Sequence, residues 1–105
     1  MKRIFANWMY ATRGIIAEVE PSLQTLLWEL LDAKAESGQE LDYLQIFELS
    51  VVDTPAGKVQ RIVHRQEQPF FRDIHECLRV EYPIELRIWV IDDGDHATML
   101  LPSEY

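Results

Sequence analysis

The segment Ile84 to Leu101, IELRIWVIDDGDHATMLL, constrains the fold most, because its turn and its hydrophobic pattern can be tested against each other. Asp93-Gly94 is a two-residue hairpin signal, since a turn that follows the right-handed twist of its strands needs positive φ at its centre. A bend there sets Asp92 against Asp95, Val90 against Ala97, Ile88 against Met99 and Leu86 against Leu101. Residues directly opposite share a face, so Leu86, Ile88, Val90, Ala97, Met99 and Leu101 form one apolar surface. A slip of one residue would split these rows between two faces, and the pattern rejects it. Trp89, Ile91 and Leu100 fall on the second face, which needs a cover from the helix, another strand layer or a partner.

The apolar surface of the hairpin predicts a helix to cover it. Pro21 stands where a helix can start, because its missing N–H is not needed in the first turn, and Glu18 and Glu20 lie at the end that favours negative charge. From there Leu23, Leu26, Leu27, Leu30 and Leu31 follow the spacing of one helical face, and Gly38 is placed to end the run. Trp28 lies on the shoulder of that face. Glu29, Asp32 and Glu36 share the opposite side.

The remaining elements read as strands. Trp8 to Thr12 predicts a short one. Leu41 to Val52 has Tyr43, Phe47, Leu49 and Val51 on one side and Leu44 and Ile46 on the other, the pattern of a central strand. Asp53 to Gly57 is a turn by composition, and Lys58 to Gln66 is the returning strand, with several registers equally good. Two periods compete after Pro69: Phe70, Phe71, Ile74, Cys77 and Leu78 fit a helix, while Ile74, Leu78, Val80 and Tyr82 fit alternation. The reading favours a strand from Glu76 to Tyr82, stopped by Pro83. The expected fold is one α+β domain: a single amphipathic helix packed on a mostly antiparallel sheet, or small partly closed barrel, of four to six strands. An SH3-like or Sm-like barrel is the alternative.

At 105 residues the chain suits one core, and 48% hydrophobic with 27% charged residues is a globular balance that needs no metal or disulfide staple. Cys77 is the only cysteine, which excludes an internal disulfide and suits a reducing compartment. The opening MKRIFANWMYATRG has no apolar run long enough for an export signal, and no segment approaches a membrane span, so the expected location is the cytoplasm. The formal charge of −8 works against attraction to nucleic acid or an anionic membrane. The imbalance is local. Residues 18 to 48 hold eight carboxylates against Lys34 alone, whereas residues 58 to 87 are nearly balanced.

Four groups of residues carry chemistry. Asp92, Asp93, Asp95 and His96 offer metal-ligand atoms at the hairpin tip, but the spacing is wrong for a calcium loop, and a tight turn splays neighbouring side chains. Cys77 beside His75 pairs a thiol with a base, against the commoner role of a lone cysteine as a small hydrophobe. Lys58, Arg61, His64 and Arg65, with Phe70 and Phe71 nearby, have the ingredients of a single-strand nucleic-acid surface, yet His64 is not on the strand face that Arg61 and Arg65 share, and basic residues also protect exposed strands from edge pairing. Trp28, Glu29, Asp32, Glu36 and Trp89 are the candidates for a protein interface, since tryptophan anchors many interfaces.

Several stretches together resemble one family: TRG at 12–14, LQTLLWELLD at 23–32, LDYLQIFEL at 41–49, QEQP at 66–69, IDDGD at 91–95 and TMLLPSEY at 98–105. They look like the short proteins called domain of unknown function nine-sixty, from Gram-positive bacteria and their mobile elements. The resemblance covers most of the chain and implies no catalytic residue or cofactor. The residues themselves point to a non-enzymatic interaction or regulatory module with a protein partner and no cofactor. A nucleic-acid module at 58–65 is the second reading, and a metal-assisted hydrolase at Asp92, Asp95 and His96 the third.

Overall fold

The computed structural model describes residues 8–105. Its elements are β1 (Trp8–Ala11), α1 (Arg13–Glu18), α2 (Pro21–Glu36), β2 (Leu44–Thr54), β3 (Gly57–Gln66), β4 (Phe71–Cys77), β5 (Leu86–Asp92), β6 (His96–Leu100) and a 3-10 turn at Pro102–Glu104. The six strands form one sheet in the order β1-β6-β5-β2-β3-β4. β1 runs parallel to β6 and every other pair is antiparallel. The α+β expectation therefore holds, with two corrections. The sheet is open, because β1 and β4 stand at opposite ends of the order and do not close a barrel. And the described residues form two α-helices where one was expected.

The organising hairpin forms with its apolar face as predicted, but in a different register. Val90 pairs with Met99 and Asp92 with Ala97, two residues away from the expected partners. An even shift preserves the faces, so Ile88, Val90, Ala97 and Met99 are all fully buried on one side. The cause lies in the turn. Gly94 has φ +101°, and no non-glycine residue has positive φ among the described residues. The centre of the bend is thus Gly94-Asp95, with glycine first as a type II′-like turn requires, whereas a bend centred on Asp93-Gly94 would put Asp93 at positive φ. The Asp93 N–H donates to the His96 carbonyl at 2.9 Å, closing the new register.

α2 supplies the cover. Leu23, Leu27, Leu31 and Ala35, each four residues on from the last, are its buried positions, and Leu26, Trp28 and Leu30 pack at the rim of the core. They meet Phe47, Leu49, Ile62, Ile88, Val90 and Met99 from the centre of the sheet. Each such side chain taken fully from water contributes about 1.5–3 kcal/mol. This layer dominates the stability of the fold.

α1 had no counterpart in the sequence reading. Thr12 caps it, accepting the Ile15 N–H, and Ile15 and Val19 continue the core. The carboxylate of Glu104 reaches its N-terminal turn, accepting from the Thr12 hydroxyl and from the Gly14 N–H at 3.0 Å, and also from the Leu101 N–H at 2.9 Å. An anion at a helix N-terminus is favoured by the orphan N–H groups there. Gly14 leaves room for it: a Cβ at this position would stand 2.7 Å from the carboxylate.

β4 runs over Phe71–Cys77, not Glu76 to Tyr82. The segment 78–85 leaves the sheet because its inward residue, Val80, joins the core, and because Gln60 grips its end. Gln60 Oε1 accepts the Ile84 N–H at 2.8 Å and Gln60 Nε2 donates to the Ile84 carbonyl at 3.0 Å. This two-point bond ends the loop and starts β5 in place. The open register of β2 and β3 resolves to Phe47 opposite His64 and Leu49 opposite Ile62.

Candidate interaction edge

Strand parity divides the sheet into two faces. The helix face carries Phe47, Ile62, His64, Ile88 and Val90, and from β4 it carries Phe71, Asp73, His75 and Cys77. The opposite face carries Glu48, Arg61, Arg65, Arg87 and Trp89, and from β4 it carries Arg72, Ile74 and Glu76. β4 is an edge: β3 pairs with one side of it, and no strand pairs with the other among the described residues. Its large apolar side chains are unusually bare. Ile74, on its open face, is 53% exposed, and Phe70 and Leu78, in the turns that flank the strand, are 70% and 75% exposed.

The helix-face side of β4 is held rigidly. His64 is buried between rings, stacked on Phe47 at 4.5 Å and edge-on to Phe71 at 5.1 Å. Its Nε2 lies 2.7 Å from Gln45 Oε1. Gln45 Nε2 donates to Gln66 Oε1 and to the Asp42 carbonyl, which leaves Gln45 Oε1 as acceptor and fixes the proton of His64 on Nε2. Gln66 in turn donates to the carbonyls of Glu40 and Pro69. Burial lowers the pKa of His64 to about 4; Asp73 pulls it back up, while His75 and Lys34 add to the lowering. Lys34 of α2 stands 2.7 Å from Asp73 Oδ2 and 4.4 Å over the Phe71 ring, which ties the helix to the edge strand.

On the open face, a groove of about 500 Å³ runs between β2, β3, β4 and β5, lined in part by Glu48, Arg61, Arg72, Glu85 and Arg87. Arg61 pairs with Glu76 at 2.8 Å and Arg65 with Glu48 at 3.4 Å. Arg72 and Arg87 carry no ion pair among the described residues.

The residues singled out from sequence do not come together as one site. Glu29, Asp32 and Glu36 lie on α2, with Glu29 and Glu36 exposed and Asp32 half-buried, and Trp28 is half-buried against the core instead of standing free. Trp89 is on the other face of the sheet, its ring edge-on to Tyr105 at 5.7 Å. The second face of the hairpin is thus partly covered by the 3-10 turn and Tyr105, a cover not foreseen. Of the basic set, Lys58 sits at the hairpin end on an Asp53 ion pair at 2.7 Å, on the strand face opposite to Arg61 and Arg65. All three are neutralised by carboxylates, which weakens the nucleic-acid reading.

At the hairpin tip the carboxylates serve the turn. Asp92 accepts the Gly94 N–H, and Asp93 Oδ1 accepts the N–H groups of Asp95 and His96. These backbone bonds, that to His96 first, pull the Asp93 pKa down. No group of three or more His, Cys, Asp or Glu side chains able to hold a metal occurs among the described residues. Cys77 and His75 share the helix face of β4, as expected for alternate strand positions.

Sequence reasoning missed Arg72 and Arg87, whose convergence with Arg61 depends on the β2–β5 and β3–β4 registers. It also missed the buried Gln45, Gln60 and Gln66, and it grouped His64 with the basic strand, where the structure buries it. Their signal was there: in KVQRIVHRQ the inward positions of the strand alternate Gln60, Ile62, His64 and Gln66.

The model of the family described as "Staphylococcal protein of unknown function (DUF960)" matches residues 9–104. The chain belongs to the DUF960 family. A crystal structure of a protein of unknown function from Enterococcus faecalis superposes with a TM-score of 0.78 at 21% identity, covering 100% of this chain and 97% of that one. That similarity shows a shared fold. No curated protein matches the sequence. No described helix of this DUF960 protein is long and apolar enough to cross a membrane, a statement that does not concern strands. The expectation of no export signal rests partly on residues 1–7, which lie outside the described residues.

Proposed function

We propose that this DUF960 protein is a non-enzymatic interaction module that recognises a protein partner by adding a strand at the outer side of β4. The observation that carries the reading is the bare edge. Among the described residues, the seven residues of β4 are unpaired on one side, with exposed Ile74 at the middle, exposed Phe70 and Leu78 flanking the strand, and an Arg72 guanidinium that carries no ion pair. An exposed edge supplies main-chain bonds to an added strand, and alternate side chains supply specificity. The fitting partner is a strand that alternates apolar and acidic residues on the open face. The acidic side of α2, with Glu29, Asp32 and Glu36, then faces away and disfavours acidic competitors on the helix side. The single cysteine fits a reducing, cytoplasmic setting for such an encounter.

Fluorescence anisotropy with a labelled peptide of the repeat Val-Thr-Glu-Thr, which sets valine and glutamate alternately on one strand face, at protein kept near 1 µM to limit self-association, tests the reading. The peptide is expected to bind, to bind less at high salt, and to be lost on Ile74→Lys. No binding would overturn it. A single-stranded oligonucleotide that binds more tightly than the peptide and is lost on Arg61→Ala with Arg65→Ala would replace it with the nucleic-acid reading.

A further inference from the structure

We infer that the strand which docks on β4 is the β4 of a second copy, in an antiparallel pair whose two-fold axis passes through Ile74. This rests on the proposal that β4 is the recognition edge, and it names the partner.

The sequence of the edge strand is chemically palindromic about Ile74. Reading FFRDIHECL from 70 to 78 against itself in the antiparallel direction sets Phe70 opposite Leu78, Phe71 opposite Cys77, Arg72 opposite Glu76, Asp73 opposite His75, and Ile74 opposite itself. Every apolar residue meets an apolar one, and every charged or titratable residue meets its complement. A two-fold interface demands this: the same patch on both copies, with residue i on j and j on i.

The faces agree as well. Arg72, Ile74 and Glu76 lie on the open face in both copies, so the two exposed Ile74 side chains would meet on the axis, with exposed Phe70 and Leu78 at the ends of the paired segment. Cross-strand neighbours of this kind are the unit of sheet stabilisation. Phe71, Asp73, His75 and Cys77 meet in the same way on the helix face.

The existing ion pairs leave room for the new ones. Arg61 holds Glu76 through Oε2 and Lys34 holds Asp73 through Oδ2, which leaves Oε1 and Oδ1 as acceptors. Arg72 supplies the guanidinium that carries no ion pair among the described residues. The result is a single sheet running through both copies, with the helices of each on their own side of the axis.

Sedimentation equilibrium from micromolar to submillimolar protein is the first measurement, and a concentration-dependent species of twice the chain mass is expected. Ile74→Lys, at a half-exposed position where folding is not at stake, is expected to weaken the association at least tenfold. The register is read by cross-linking in a Cys77→Ser background. Ile74→Cys lies on the axis and is expected to form a disulfide-linked dimer under mild oxidation. Arg72→Cys is expected to form none, since residue 72 would stand four residues along the strand from its own copy, about 13 Å and beyond disulfide reach.

A chain that stays monomeric at the highest concentration overturns the self-pairing. If the valine–glutamate peptide still binds such a monomer, β4 remains the recognition edge and only its partner is wrong. A dimer unaffected by Ile74→Lys would overturn the self-pairing. A dimer that cross-links through position 72 and not 74 would overturn the register.

Discussion

Replacing His64 by glutamine tests how the buried polar cluster behaves in acid. In the folded protein His64 holds its proton only below a pKa of about 4, against 6.5 for the free side chain, chiefly because burial disfavours the imidazolium. Between those two values the unfolded chain binds a proton that the folded one refuses, so stability falls as pH falls from 6.5 towards 4. One pKa unit corresponds to about 1.36 kcal/mol, which sets the full loss near 3 kcal/mol below pH 4 and about 2 kcal/mol between pH 7 and pH 5. That is a large share of the stability of about 5–15 kcal/mol typical of such domains. His64→Gln keeps an amide N–H within reach of Gln45 and removes the titration. It also removes the stack on Phe47, so its stability at pH 7 is lower than that of the wild type. The discriminating quantity is the slope. Urea unfolding followed by tryptophan fluorescence at pH 7, 6 and 5 is expected to show the wild type losing about 2 kcal/mol more than the variant over this range. Parallel loss in the two proteins would refute the argument, and would mean that His64 reaches solvent or a counter-charge in the native state.

Two further perturbations address other parts of the fold. Gly14→Ala drives a methyl group against the Glu104 carboxylate, which can escape only by giving up its bonds to Thr12, Gly14 and Leu101; Gly14→Ala and Glu104→Ala are therefore expected to lower the urea midpoint similarly, and the double variant no further than either, with additivity counting against the latch. Leu27→Ala removes a fully buried side chain between α2 and the sheet and is expected to cost about 2–5 kcal/mol in equilibrium unfolding; a cost under about 1 kcal/mol would mean that the helix is loosely docked.

The parts of the fold legible in the sequence were those in which a strong local pattern decides. The leucine spacing of α2 between Pro21 and Gly38, and the alternation of Leu86, Ile88 and Val90, both survive in the structure because each serves the same buried surface. The register of the hairpin was not legible. Asp93-Gly94 looks like the centre of the bend, yet only glycine takes positive φ without strain, and the Asp93 carboxylate bonds to the N–H groups of Asp95 and His96 instead. α1 is too short for a hydrophobic period, and besides its Thr12 cap its first turn is held by Glu104, ninety residues from Gly14 in the chain. β4 was misplaced towards Tyr82 because apolar alternation continues past Cys77, while the segment is turned away by Gln60, a residue that acts across the fold. The candidate site suffered the same blindness. Which arginines share a face, and which strand is left at the rim, follow from strand order, and strand order is a property of the assembled sheet.

The parallel pairing of β1 with β6 has a consequence for synthesis. β1 is made before any other described strand, and its partner β6 is made after all of them. While the chain emerges, the β2–β3–β4 meander can assemble from neighbouring segments. β1, and α1 with its C-terminal latch, must wait for the final stretch. Contacts that span nearly the whole chain are slow to close, so a nascent or truncated chain lacking residues 96–105 would present α1 and β1 undocked, and with them the apolar side chains of Ile15 and Val19 that proteases and chaperones recognise.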